Sequence, residues 1–308
     1  MIEIKNVFKS YNKPVLNNLN FSIKEGSIFG LIGINGAGKS TLINMLSGTM
    51  KPTMGQVLYD GEDVYDNEKV KSEIFYLPDE PYYERNTTPE SILKTYNVFY
   101  KIDEEKFYSY LKLFNLPIKE AMFNFSKGMK RQVFVALALA IKPKYLYLDE
   151  AFDGLDPLAR MALKKILLEV QDENNMTVVI SSHSLRELED ICDSYGLLDK
   201  GTMATYGELA ESRQKYHKYT LAFEEEYDEK EFMGINFIAF KKEKRVITCV
   251  TNLDYEQMKE AIKDKNPLLI EEYEVDFEEL FMIEVQSRGY LKWKDIFYIY
   301  LRKDFLSL

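Results

Sequence analysis

The sequence predicts an α/β fold, a mostly parallel sheet flanked by helices, on three observations. Strand-like and helix-like runs alternate from "YLYLD" through a helix at Pro157, "MTVVISS", a helix at Ser184 and "YGLLD", which is the pattern of βαβ units. Upstream, "SIFGLIG" runs directly into a glycine-rich loop and an apolar helix, "LINMLSG". The composition, 46% hydrophobic and 29% charged over 308 residues, is that of a globular chain able to bury one large core and a smaller one.

Taken in order, "MIEIKNVF" and "LNFSI" open the chain as strands, and the charged, alternating N-terminus is a strand rather than a signal peptide. Closure of the "LINMLSG" helix falls to Gly48, and "LYDGEDVY" carries Asp60-Gly61, a tight-hairpin signal. "IFYLP" is a further strand. Residues from about Thr88 to Ile141 read as a helical region: "TTPESILKTYNVFY" has a Thr-Pro-Glu start, and "DEEKFYSYLKLF" has acids in its first turn. Beyond about Tyr216 the character changes. "KYTLAFE", "INFIAF", "RVITCV" and "LLIEEYEV" read as short strands, with helices expected at Asp228–Met233 and Asp254–Lys263. The β-α-β-β-α-β order suits a small ferredoxin-like domain.

Two stretches carry chemistry. "GINGAGKST", Gly33 to Thr41, spells G-x-x-x-x-G-K-S between a strand and a helix, the context this phosphate-binding loop needs. Backbone N–H groups across Gly33, Asn35, Gly36, Ala37 and Gly38, with the helix N-terminus, form a positive concavity for a β-phosphate. Lys39 reaches the β- and γ-phosphates, and the Ser40 hydroxyl, beside Thr41, suits Mg²⁺. "YLYLDE", Tyr145 to Glu150, is a buried strand ending in two carboxylates. Asp149 is the metal candidate; Glu150 points elsewhere and suits a general base on water. A glycine-rich turn or a capping loop would account for either stretch alone, but together in this order they point to a nucleotide's phosphates with Mg²⁺.

With these residues in place, the chain from about Met1 to Ala210 resembles the nucleotide-binding subunit of ATP-binding cassette (ABC) transporters. That resemblance implies the P-loop NTPase form of the α/β class: a RecA-like core sheet, an antiparallel β subdomain and a helical subdomain at about 88–141, all within 1–215. Tyr11 in "FKSYNKPVL" stands where the family stacks an aromatic on adenine. "FSKGM" (Phe125 to Met129) matches the signature usually written LSGGQ, "GLD" (Gly154 to Asp156) the D-loop, and His183 in "SSHS" the switch histidine that contacts the γ-phosphate. Ser126 and Gly128 would then act on ATP bound to a second cassette in a head-to-tail dimer, and this chain holds one cassette. There are two departures: Asp79 in "YLPDEP" replaces the usual Q-loop glutamine, and Lys127 replaces the first signature glycine. Asp79 could still face Mg²⁺ or the lytic water, adding negative charge beside phosphates.

Residues 216–287 would form the accessory domain, and "VDFEELFMIEV" resembles a helix ending many bacterial export-type cassettes. Residues 288–308 hold the only tryptophan. Read as a helix, Trp293, Ile296, Phe297, Tyr300 and Leu301 make one apolar stripe beside a local charge of +3. Such a tail suits a membrane surface or a permease, or packing on its own domain or dimer mate. The resemblance implies an ATPase at the inner face of the membrane, cytoplasmic and peripheral, driving separate transmembrane permease subunits for export of drugs, antibiotics or peptides. The alternatives are a weakly active regulatory cassette and a soluble non-transport ATPase. A net charge of −10 argues against nucleic acid as a partner. The cysteines, Cys192 and Cys249, match no metal spacing.

Overall fold

Alternating buried and exposed side chains lay down the first sheet. In β1 (Ile2–Ser10), Ile2, Ile4 and Val7 face inward, and β2 (Pro14–Ile23) buries Leu16, Leu19, Phe21 and Ile23. After these come β3 (Ile28–Ile32), α1 (Lys39–Leu46), β4 (Met54–Tyr59) and β5 (Glu62–Asp63). The sheet order is β2-β1-β4-β5, and the β4–β5 turn is made by Asp60 and Gly61 at φ 51 and 90, both in the left-handed region a two-residue hairpin asks for. The computed structural model describes residues 1–287, in two units, one spanning Met1–Tyr206 and the other beginning at Gly207.

The chain continues through α2 (Glu68–Ser72), β6 (Ile74–Leu77), α3 (Pro89–Tyr96), α4 (Glu104–Leu113) and α5 (Lys127–Ile141). Thr88 and Ser91 close a capping box on α3, and Asp103 caps α4, satisfying N–H groups that the first helical turn leaves unpaired. Val133 to Ile141 are buried along α5. Then follow β7 (Tyr145–Leu148), α6 (Pro157–Asn174), β8 (Thr177–Ser182), α7 (Leu185–Leu188), β9 (Ser194–Asp199) and β10 (Thr202–Glu208).

The second sheet runs β10-β9-β3-β8-β7-β6, with β3–β8, β3–β9, β7–β8 and β6–β7 parallel. Every residue of β3, β7 and β8 is buried, as expected for parallel strands covered on both faces. The order places β8 between β3 and β7, with Ile32 level with Ser182 and Leu148 level with Ile180. The loops leaving β3, β7 and β8 therefore emerge side by side at one sheet edge, where α/β folds place their ligands.

The second unit holds α8 (Leu209–Lys215), β11 (His217–Ala222), β12 (Phe237–Glu243), β13 (Val246–Thr251), α9 (Tyr255–Ala261), β14 (Leu269–Tyr273) and α10 (Phe277–Ser287). Its sheet order is β12-β13-β11-β14, antiparallel throughout, the ferredoxin-like order. The unit begins at Gly207, ahead of the expected start at 216, because α8 falls within it. The helix expected at Asp228–Met233 is a single 3₁₀ turn, Glu229–Glu231. An Asp228–Glu231 capping box starts it. Phe232 then turns into the core against Phe223, Tyr227, Phe237 and Phe240, and Gly234 follows at φ 87. The tail segment 288–308, read above as an amphipathic helix, lies outside the described residues.

Candidate functional site

The loop after β3 is shaped by its glycines and closed by a lysine. Gly38 caps α1 at φ 107, a conformation that side chains rarely adopt. Ile34, Asn35, Gly36 and Ser40 are exposed, while Ala37 is buried. Lys39 is only 6% exposed; its ammonium donates to the Gly33 carbonyl at 2.6 Å and lies 3.3 Å from Glu150 Oε1. A buried cation held between a carbonyl and a carboxylate is compensated, which its burial requires.

The loop after β7 carries both carboxylates, and β8 organises them. Asp149 is buried, with Oδ1 accepting from Ser181 Oγ at 2.5 Å, and the same Oγ accepts the Glu150 N–H at 2.9 Å. Glu150 takes φ 51, a left-handed conformation that costs a non-glycine residue about 1–2 kcal/mol. That kink sends its side chain between two cationic or polarisable partners: Oε1 toward Lys39 and Oε2 to His183 Nδ1 at 3.0 Å. Behind His183, Ser182 Oγ accepts from Ser184 N–H and donates to Glu187, whose other oxygen is 3.3 Å from Arg160. Burial, with Asp149 close by, pushes the Tyr76 phenol up.

The start of α5 forms the third component. Ser126 caps the helix, its hydroxyl accepting from Met129 N–H at 3.1 Å. Gly128 lies against the loop after β7, where an added Cβ would sit 2.3 Å from the Gly154 carbonyl oxygen. Asp156 caps α6 by accepting from Ala159 N–H. Tyr11 is exposed at the end of β1, its ring 5.2 Å from Lys9 Nζ and its hydroxyl on Met50 Sδ. Asp79, expected to face Mg²⁺ or the lytic water, is paired within the chain. Its Oδ1 accepts from Arg131 Nη2 at 2.5 Å and lies 3.4 Å from Lys127. Two cations from α5 thus engage its carboxylate, and among the described residues no group of three or more His, Cys, Asp or Glu side chains surrounds a shared metal position.

The structure thus brings Lys39, Asp149, Glu150 and His183 to one edge, and sets Ser126, Gly128 and Asp79 together around α5. A family model described as "ABC transporter" matches residues 16–153. The lantibiotic transport ATP-binding protein SrtF of Streptococcus pyogenes is 34% identical over 208 residues, covering 65% of this chain and 88% of that protein. The chain belongs to the ABC transporter ATP-binding proteins. ABC proteins of this kind bind ATP and hydrolyse it in coupling to transport, and this one is an ATPase. Similarity to the ABC transporter ATP-binding protein YtrB of Bacillus subtilis (strain 168) extends further, 26% identity over 287 residues, 92% of this chain and 97% of that one. A solved ATP-binding subunit of an ABC transporter superposes with a TM-score of 0.63 at 31% identity, over 70% of this chain and 92% of that one. Among the described residues of this ABC subunit, no helix is long and apolar enough to cross a membrane.

Two residues of the site were not read from the sequence. Ser181 breaks the apolar run "TVVISS", and Arg131 is a lone guanidinium entering the buried stretch of α5. A polar group in the interior of a buried element needs a partner, and that was the available signal for both.

Proposed function

We propose that this ABC subunit powers a permease carried on separate transmembrane chains, at the inner face of the membrane, and serves export of drugs, antibiotics or peptides. The observation that carries the reading is the line Lys39–Glu150–His183 at the sheet edge, a phosphate-binding cation and a switch histidine on opposite oxygens of one carboxylate. Lys39 holds the β- and γ-phosphates in place of Glu150, leaving that carboxylate to take a proton from the attacking water, with His183 at the γ-phosphate. Ser40 and Asp149 offer the hard oxygens that suit Mg²⁺, which supplies charge neutralisation on the phosphates. The N–H groups through Gly33, Asn35, Gly36, Ala37, Gly38 and Thr41 cradle the phosphates, and Tyr11 offers an exposed ring face to adenine.

A second cassette, a copy or a paralogue, supplies Ser126, Gly128 and Asp156 across the nucleotide in a head-to-tail sandwich. The resemblance of SrtF, a lantibiotic transport protein by name, supports the export reading. The test is Glu150→Gln: ATP binding persists, hydrolysis stops and an ATP-bound dimer accumulates on size exclusion. Wild-type turnover in that variant would remove Glu150 from the base role.

A further inference from the structure

Lys127 and Asp79 each break the pattern expected of them, and the structure joins the two departures. On α5, Lys127 and Arg131 are four residues apart and so share one helix face. Arg131 is 2% exposed. It donates to the carbonyls of Pro78, Asp79 and Asp149 and to the Asp79 carboxylate, at 3.1, 2.7, 3.2 and 2.5 Å. Lys127 donates to Asp153 Oδ2 at 2.5 Å while lying 3.4 Å from the same Asp79 oxygen. Asp153 draws the Lys127 ammonium pKa up, and Lys127 in turn holds the Asp153 carboxyl below its usual range, so this pair stays charged around neutrality. Two cations face two carboxylates. The extra negative charge of Asp79 is thereby neutralised from within the chain, and Lys127 is directed to its own protein instead of an incoming phosphate.

We infer that Lys127 is a positioning residue: with Asp79, Arg131 and Asp153 it forms an intrachain clasp that locks the start of α5 onto the loops after β6 and β7. The clasp fixes the place where Ser126 and Gly128 are presented. Gly128 already packs against the Gly154 carbonyl, and Lys127 secures the preceding residue of that loop, Asp153, to the same helix turn. Through Arg131 the clasp also reaches the backbone of Asp149. Movement of the loop after β6 is therefore transmitted to the signature turn and the metal-side carboxylate together. This rests on the preceding reading in one respect, that Ser126 and Gly128 serve the ATP of a second cassette.

That dependence sets the test. Lys127→Met, Asp153→Asn, their double variant and Lys127→Arg are made in the full chain, and two readouts are taken. Hydrogen exchange at the amides of Met129 and Lys130, both bonded to Ser126, reads the clasp without nucleotide. Steady-state ATPase reads its consequence. Each single loss of charge speeds exchange at these amides and lowers kcat about two- to fivefold, the scale of partly exposed ion pairs. KM changes little, because the phosphate loop of the same chain is untouched. The double variant is no worse than Lys127→Met, which already removes the Lys127–Asp153 pair, and Lys127→Arg restores wild-type behaviour. Additive losses in the double variant, or unchanged exchange in Lys127→Met, would overturn the clasp. If exchange follows the clasp while kcat stays at its wild-type value, the clasp stands and the reading of Ser126 and Gly128 as ATP-facing groups falls.

Discussion

Ser181→Ala tests whether β8 assembles the two carboxylates proposed to serve hydrolysis. The hydroxyl is fully buried and makes two bonds, donating to Asp149 Oδ1 at 2.5 Å and accepting the Glu150 N–H at 2.9 Å. Its removal leaves a buried carboxylate oxygen without that donor, and a hydrogen bond to a charged group contributes about 1.5–3 kcal/mol. An orphaned buried N–H costs about 1–3 kcal/mol more. Partial relaxation reduces the sum, so a loss of about 2–4 kcal/mol is expected. In a unit of this size that lowers the midpoint of thermal unfolding by about 5–15 °C. The kinetic effect is separate. Glu150 sits at φ 51, and the bond to Ser181 is what offsets that backbone cost. Without it Glu150 relaxes, and if Glu150 is the base, as proposed, a displacement of about 1 Å lowers turnover about a hundredfold. Calorimetry and a phosphate-release assay on the same preparation measure both. A variant that unfolds within about 1 °C of wild type and hydrolyses ATP at the wild-type rate would refute the assignment, because both bonds would then be dispensable.

Three further outcomes are expected. Gly128→Ala forces a Cβ to within 2.3 Å of the Gly154 carbonyl; displacing backbone costs about 1–3 kcal/mol, read by thermal unfolding together with a fall in ATPase. A silent Ala would show that the start of α5 does not press on that loop. Lys39→Ala removes the buried ammonium proposed to hold the phosphates and abolishes binding of a fluorescent ATP analogue; retained affinity would count against that role. Stability should also respond to acid. Lys144 holds Glu25, the N-terminal ammonium holds Asp60, the Lys106 N–H with Lys142 holds Asp103, and Lys127 holds Asp153 below the usual carboxylate range. A depressed carboxyl contributes in full above its unfolded value, near 4, and loses that contribution as pH falls through the folded one. Unfolding temperature should therefore be level above about pH 5 and fall below about pH 4. A flat profile down to pH 3 would contradict these pairings.

What the sequence made legible was local. The glycine-rich loop, the acidic strand end and His183 could be picked out because each is a short run whose pattern depends on neighbours in the chain, and the parallel order β3-β8-β7 brings the runs together. The core strands were equally plain, since burial on both faces leaves them apolar. The 3₁₀ turn at Glu229–Glu231 was misread as a helix because propensity does not register the pull of Phe232 into a cluster of aromatics contributed by several segments of the second unit. Lys127 and Asp79 show the same limit from the other side. As letters they were two separate faults in a phosphate site, one adding a cation and one an anion. Their relation depends on where the start of α5 lies against two loops distant in sequence, and no local pattern encodes that placement. The buried Arg131 was the missing term, because a guanidinium at that depth must be met by oxygens, and it is met by the backbone and carboxylate of the loop containing Asp79. Once that loop is tied to α5, a carboxylate at position 79 demands charge from the same helix face, and Lys127, one turn earlier, supplies it. The two departures therefore compensate each other, and changing either alone should harm the site more than changing both.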